Sequence, residues 1–149
     1  MKLSEHFTLE EFTSSQTATR CGINNAPPAE YMPALERTAQ GMEMVREVLG
    51  DVPILVSSGY RSPELNMLVN GSHGSQHLLG EACDFTAPAF GSPEEIMRAI
   101  IKSEVPYDQL ILEYYDPTRH TGWVHVSFSL RNRRQKLVID HAGTRPWGE

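Results

Sequence analysis

The chain has 149 residues, 40% of them hydrophobic, and a formal net charge of −6, which suits one domain over residues 1–149 with a sizeable core. The acidic balance argues against nucleic acid as a partner, and no apolar run approaches the roughly 20 residues that span a bilayer. The opening Met1-Lys2-Leu3-Ser4-Glu5-His6 carries no apolar stretch, so no secretory signal peptide is expected.

Thr8 followed by Glu11 spells a capping box for a short helix that carries Phe7 and Phe12 into the core. Pro27-Pro28 opens a longer helix to about Leu49, with Met32, Leu35, Ala39, Met42, Val45 and Leu49 at helical spacing and Gly50 as its stop. That methionine-bearing stripe is read as core. Ile54-Leu55-Val56 predicts a buried strand ending at Gly59, after which Ser62 caps a short helix with Pro63 in first position. Residues 71–80 form a glycine-punctuated loop, and Ala82 to Thr86 a strand. Ser92-Pro93-Glu94-Glu95 repeats the capping box for a helix through Ile101. Leu110 to Tyr115 and Trp123 to Phe128 read as strands around Asp116-Pro117 and Gly122, and Leu137-Val138-Ile139 as a last edge strand. The order predicts an α+β domain, with N-terminal helices packed on a small, mainly antiparallel sheet.

The chemistry concentrates in Ser75-Gln76-His77-Leu78-Leu79-Gly80-Glu81-Ala82-Cys83-Asp84 and Trp123-Val124-His125-Val126-Ser127. Two imidazoles and a carboxylate beside strand-like runs suit Zn²⁺, and three protein ligands leave one tetrahedral position open for chemistry. His77 and Asp84 are too far apart for one helical face but can meet if a turn at Gly80 folds the loop beside a strand. Taken alone, either histidine would be read as a satisfied core residue. Cys21 and Cys83 are too few for a disulfide framework. Cys83 reads as a small buried residue, with an accessory soft ligand as the alternative. His73 and His141 are read as solvent-facing, and the run Arg131, Arg133, Arg134, Lys136 as a solvated basic face, with attraction of an anionic wall polymer as the alternative.

Three segments, Ser57-Ser58-Gly59-Tyr60-Arg61-Ser62-Pro63-Glu64-Leu65-Asn66, Ser75-x-His77-x-x-Gly80-x-Ala82-x-Asp84 and Trp123-Val124-His125-Val126-Ser127, resemble the successive signatures of the M15 family of zinc D,D-carboxypeptidases and peptidoglycan endopeptidases. His6-Phe7-Thr8-Leu9-Glu10-Glu11-Phe12 and Asp108-Gln109-Leu110-Ile111-Leu112-Glu113 resemble the small single-domain branch found in phages and prophages. The resemblance implies an M15/Hedgehog-like fold, zinc held by His77, Asp84 and His125, and substrate contacts from Arg61 and Ser75. It implies hydrolysis of amide bonds in peptidoglycan peptides by a monomer that stays in the cytoplasm until lysis or travels with a virion. Arg61 would grip a substrate carboxylate or the developing oxyanion.

The chain departs from the family at one point. Many members carry a carboxylate three residues before the last histidine ligand, and Gly122 stands there. Glu113, Asp116 and His120 can substitute as base. If the two strands pair about Thr118-Arg119, Glu113 lies opposite His125 on the same face; the phage-like branch also ends this strand with glutamate. His120 occupies a position where some members have a histidine that assists the tetrahedral intermediate, and is otherwise an exposed loop residue. Gly122 also keeps open a rival from another class: a non-catalytic phage tail or wall-binding module that retains the fold.

Overall fold

The structure, a computed structural model describing residues 1–148, has five α-helices and six strands among the described residues: α1 (Leu9–Thr13), α2 (Gln16–Cys21), α3 (Met32–Val48), β1 (Leu55–Ser58), α4 (Pro63–Leu68), β2 (Ala82–Thr86), α5 (Pro93–Ile101), β3 (Gln109–Asp116), β4 (Thr121–Ser127), β5 (Gln135–Asp140) and β6 (Gly143–Pro146). The strands form one sheet in the order β1-β2-β4-β3-β5-β6, antiparallel throughout except for the parallel pair β3 and β5. The expected α+β architecture is the one observed.

Local capping chemistry starts the helices. The Thr8 hydroxyl accepts from the Glu11 amide at 3.2 Å while the Glu11 carboxylate accepts from the Thr8 amide at 3.0 Å, and Ser92 with Glu95 repeats the arrangement on α5. Ser62 caps α4 above Pro63. The helix expected from Pro27-Pro28 begins later: Ala29–Tyr31 is a 3₁₀ turn and α3 starts at Met32, which places Pro33 in the first turn, where its missing N–H costs nothing. Helix α2 was not anticipated. Its start is a Ser15 cap accepting from Ala18 N at 3.1 Å, but Ala18 is its sole buried residue, so no apolar stripe announces it.

Two-residue periodicity divides the sheet. Cys83 and Phe85 of β2, Val124 and Val126 of β4, and Leu110 and Leu112 of β3 face the core, which is closed by Leu35, Ala39, Met42 and Val45 of α3 and Ile96, Met97 and Ile100 of α5. The intervening residues, Asp84, Trp123, His125, Ile111 and Glu113, line a cleft on the other face.

Three strand expectations need correction. Leu137-Val138-Ile139 is no edge: β5 is paired on both sides, and the edge is β6, whose four exposed residues carry no apolar signal. The other edge is β1, shifted to Leu55–Ser58 and only partly buried, because one side of an edge strand faces solvent. In the β3–β4 hairpin His125 pairs with Ile111 and Glu113 with Trp123, two residues from the expected register. A bulge accounts for one of the two residues, since β3 spends three steps from Glu113 to Asp116 where β4 spends two, from Trp123 to Thr121; the other comes from the turn, where Asp116 pairs with Thr121 and an unbulged ladder would set Glu113 opposite Val124. Tyr114 and Gly122 adopt positive φ there, 53° and 100°. Because the register error is an even number of residues, Glu113 stays on the face of His125, now diagonal to it.

Asp108, at the head of β3, fastens the loop before β2 to the sheet. Its buried carboxylate accepts from Arg133 Nε and Nη2, both at 2.8 Å, from the Arg133 amide at 2.9 Å, and from Gln76 Nε2 at 2.8 Å. Arg131 reaches it at 3.6 Å, and Arg134 donates to the Val105 carbonyl and lies 4.4 Å over the Tyr107 ring. Arg131 and Arg133 stay exposed, as expected of a solvated face, while their guanidinium groups turn back to partners within the fold.

A Cβ at Gly122 would lie 2.5 Å from Tyr115 Cα and 2.9 Å from the Glu113 carbonyl oxygen. Gly122→Ala is expected to lower the unfolding free energy by roughly 2–4 kcal/mol, the left-handed penalty plus overpacking; urea denaturation showing an unchanged midpoint would contradict this.

Hydrogen bonds from Arg133 hold the Asp108 carboxyl well below the usual carboxylate range, against the opposing effect of burial. A depressed folded pKa contributes stability that is fully present above the unfolded value of about 3.9 and is lost as pH falls below it. Asp108→Asn should therefore destabilise at pH 7, by about 1.5–3 kcal/mol as for lost hydrogen bonds to a charged group, and should flatten the acid limb of the stability profile. Parallel acid limbs for the two proteins would refute the assignment.

Candidate metal centre

Register assembles the centre first: β2 and β4 pair antiparallel with Asp84 opposite His125. His77 arrives from a 3₁₀ turn, Gln76–Leu79, which Ser75 caps by accepting from the His77 amide at 3.2 Å and which Gly80 ends at φ 74°. The three side chains are buried, with donor atoms all within 4.8 Å of one another. Asp84 Oδ1 is 3.2 Å from His77 Nε2 and 2.9 Å from His125 Nδ1, and the two rings stand nearly perpendicular, centroids 5.0 Å apart.

The hydrogen-bond geometry shows that a cation fits. His77 Nδ1 donates to the Gly59 carbonyl at 2.6 Å. That fixes the tautomer, since a carbonyl only accepts, and leaves the Nε2 lone pair aimed at a carboxylate oxygen that also only accepts. Burial holds the His77 imidazole below its usual range and so favours this neutral form. Two facing acceptors at 3.2 Å need positive charge between them. Burial opposes ionisation of Asp84, yet the neighbouring imidazoles outweigh it and hold the carboxyl well below its ordinary value. At His125 burial pulls downward, while the hydrogen bond and charge of Asp84 prevail and raise the imidazole. Two nitrogens and an oxygen in a buried triangle suit zinc and leave room for another ligand.

Close backbone approach holds these donors in place. A Cβ at Gly59 would meet the Phe12 carbonyl oxygen at 2.5 Å; only glycine lets the end of β1 lie against α1 with its own carbonyl directed at His77. The Arg61 amide donates to the His77 carbonyl at 3.0 Å. Its guanidinium donates to Ser58 at 3.3 Å and Asn66 at 3.2 Å, and stands 3.6 Å from Asp84 Oδ2. Arg61 is thus fixed beside the reacting face.

Glu113 extends the same face and lines the cleft, a cavity of about 560 Å³ holding all three donors. Trp123 Nε1 donates to its carboxylate at 2.6 Å. Burial and the charge of Asp84 raise the Glu113 carboxyl above its ordinary value. Sequence reasoning missed Trp123 as its partner, although its position two residues before His125 places it on the same face. Ser75 lines the cleft as well as capping the turn.

His120 lies elsewhere: exposed, at φ 55°, in the β3–β4 turn and outside the cleft lining. Asp116 accepts from the Thr118 and Arg119 amides and shapes that turn. Cys83 faces the core, its thiol pushed well up by burial, so it is no accessory ligand. His141 is exposed against the Tyr114 ring, and His73 borders a separate cavity of about 750 Å³ beyond Tyr60 and Gly71 that is larger but contains none of the donors.

A buried His–Asp–His set at the floor of an open cleft, with a carboxylate beside it, defines a mononuclear metal centre of the hydrolytic kind. The Peptidase M15 family profile matches residues 5–127, and the chain belongs to that family. Over 50 residues, 34% of the chain, it is 38% identical to the zinc D-Ala-D-Ala carboxypeptidase of Streptomyces albus G, and the match spans 20% of that relative's length.

Purified protein should bind about one zinc ion per chain. His77→Ala, Asp84→Ala and His125→Ala should each lose most of it, and zinc at a hundredfold excess over Kd should stabilise the wild type by about 2.7 kcal/mol. Full zinc occupancy of a folded His125→Ala protein in elemental analysis would refute the ligand set.

Proposed function

We propose that the chain is a zinc peptidase hydrolysing amide bonds in peptidoglycan stem peptides, with Glu113 as general base. The observation that carries the reading is the position of Glu113: a raised carboxyl, oriented by Trp123, on the sheet face that holds the donors. Family membership and the carboxypeptidase relative support the substrate class.

In this reading the chain's own groups divide the work. Zinc in the His77–Asp84–His125 set would supply Lewis acidity to the scissile carbonyl and to water. Glu113 removes a proton from the attacking water, whose oxygen bonds to the carbonyl carbon. Arg61, held by Ser58 and Asn66, faces the charge that develops on the carbonyl oxygen. As the C–N bond breaks, Glu113 returns the proton to the leaving amine. His77 and His125 stay unprotonated on the faces that hold the metal.

Gly122 does not argue against catalysis. Its φ and the contacts a Cβ would make show a backbone requirement of the bulge. That observation favours the peptidase over a non-catalytic wall-binding module.

Glu113→Gln should retain zinc and the fold while losing about 10²–10⁴ in kcat on purified murein, read as new amino groups. Near-wild-type turnover would remove Glu113 from the role.

A further inference from the structure

We infer that Tyr114 is a specificity-determining residue of the cleft: its ring is a wall against which an apolar side chain of the substrate, next to the reacting bond, packs. The inference rests on the peptidase reading and names a contact within that site.

Strand alternation sends Leu110 and Leu112 to the core and Ile111 and Glu113 to the cleft, and would send Tyr114 to the core as well. The bulge breaks the count. Tyr114 lines the cleft next to Glu113, and Tyr115 packs against the core in its stead. Two consecutive side chains of β3 thus reach the face that carries the metal donors. The backbone there does not favour a tyrosine. Of the six described non-glycine residues with positive φ, four are Asp, Asn or His, which tolerate it; a tyrosine at 53° is strained. Asparagine would occupy the position at less cost, so the turn of the backbone does not require this ring.

Packing within the fold accounts for little of it. The ring lies between those of Trp123 and His141, centroids 5.5 and 5.1 Å away and tilted to both, and the residue stays 39% exposed. What it does complete is the apolar part of the cleft, formed with Ile111, Trp123, Leu137 and Ile139, whereas Ser72, Ser75 and Gln76 line the polar part. Glu113 belongs to the apolar part: Trp123 donates to its carboxylate and Ile139 stands opposite it on β5. A bond served by Glu113 therefore lies beside these groups. An apolar side chain next to that bond gains from burial against rings and aliphatic groups. An acidic one would bring a further carboxylate toward Glu113 and Asp84 in surroundings that disfavour charge.

The test uses zinc-loaded protein, a synthetic stem peptide that the wild type cuts, and two analogues in which glycine replaces the residue on one or the other side of the cut bond. Tyr114→Asn suits the backbone but removes the ring. It should keep its zinc and its urea midpoint while kcat/KM on the parent peptide falls about tenfold, mainly through KM. On one glycine analogue, where the wall has nothing to hold, the same substitution should cost no more than about threefold. Tyr114→Phe, which keeps the ring, should restore kcat/KM on the parent to within about threefold of the wild type. A merely structural role predicts otherwise. Equal losses on all three peptides, or a lowered midpoint with unchanged kinetics, would overturn the inference and leave the peptidase reading standing. If folded, zinc-loaded wild type cuts no stem peptide, the peptidase reading fails on these substrates and the inference falls with it.

Discussion

The β2–β4 register, which sets Asp84 opposite His125, is the constraint on which the rest of the centre depends. It places an ionised carboxylate within a sheet whose other face is the apolar core, and a buried carboxylate is tolerated only with partners. The surrounding structure supplies them: Arg61 on one oxygen and two imidazoles on the other. Arg61 in turn holds the His77 carbonyl with its amide, and Gly59 orients the His77 ring. A one-residue slip of β2 against β4 would turn Asp84 into the core and Cys83 into the cleft, with loss of the donor set. The register thus links fold stability to the chemistry of the site.

The β3–β4 hairpin shows how backbone geometry decides which strand carries a carboxylate into the cleft. Gly122 can carry no side chain because the bulge on β3 brings Tyr115 against it. The same bulge leaves Glu113 paired with Trp123, whose indole orients the carboxylate. Absence of a carboxylate on β4 and presence of one on β3 are two consequences of one conformation. A carboxylate introduced at position 122 would meet the backbone before reaching the donors.

Legibility followed the range of the interaction. Short-range rules located what they govern: the caps at Thr8, Ser62 and Ser92 and the alternation in β2 and β4; the grouping of His77, Asp84 and His125 was legible through the family resemblance. The proline pair misled about the start of α3 because Pro33 sets that start from inside the helix. Helix α2 and strand β6 bury too little to produce a pattern. The hairpin register escaped because a bulge is a tertiary compromise, unlike a turn signal. The partners of the arginines at 131, 133 and 134 were not legible because Asp108, Val105 and Tyr107 lie more than twenty residues earlier in the chain.

The surroundings of Glu113 depend on a pairing invisible in the sequence. The parallel pairing of β5 with β3 sets Leu137 opposite Ile111 and Ile139 opposite Glu113, and all four line the cleft. Opposed residues share a face, so the carboxylate stands beside an aliphatic side chain on one strand and an indole on the other. Burial is the largest influence raising its carboxyl, and β5 contributes to that burial in a way an outer edge strand beyond the site would not. A carboxylate lifted in this way is a stronger base once ionised, and it holds an abstracted proton over a wider pH range. Strand β6 covers the outer side of β5 and keeps Ile139 paired. The last two strands, which carry no donor, therefore shape the surroundings of the Glu113 carboxylate from across the sheet.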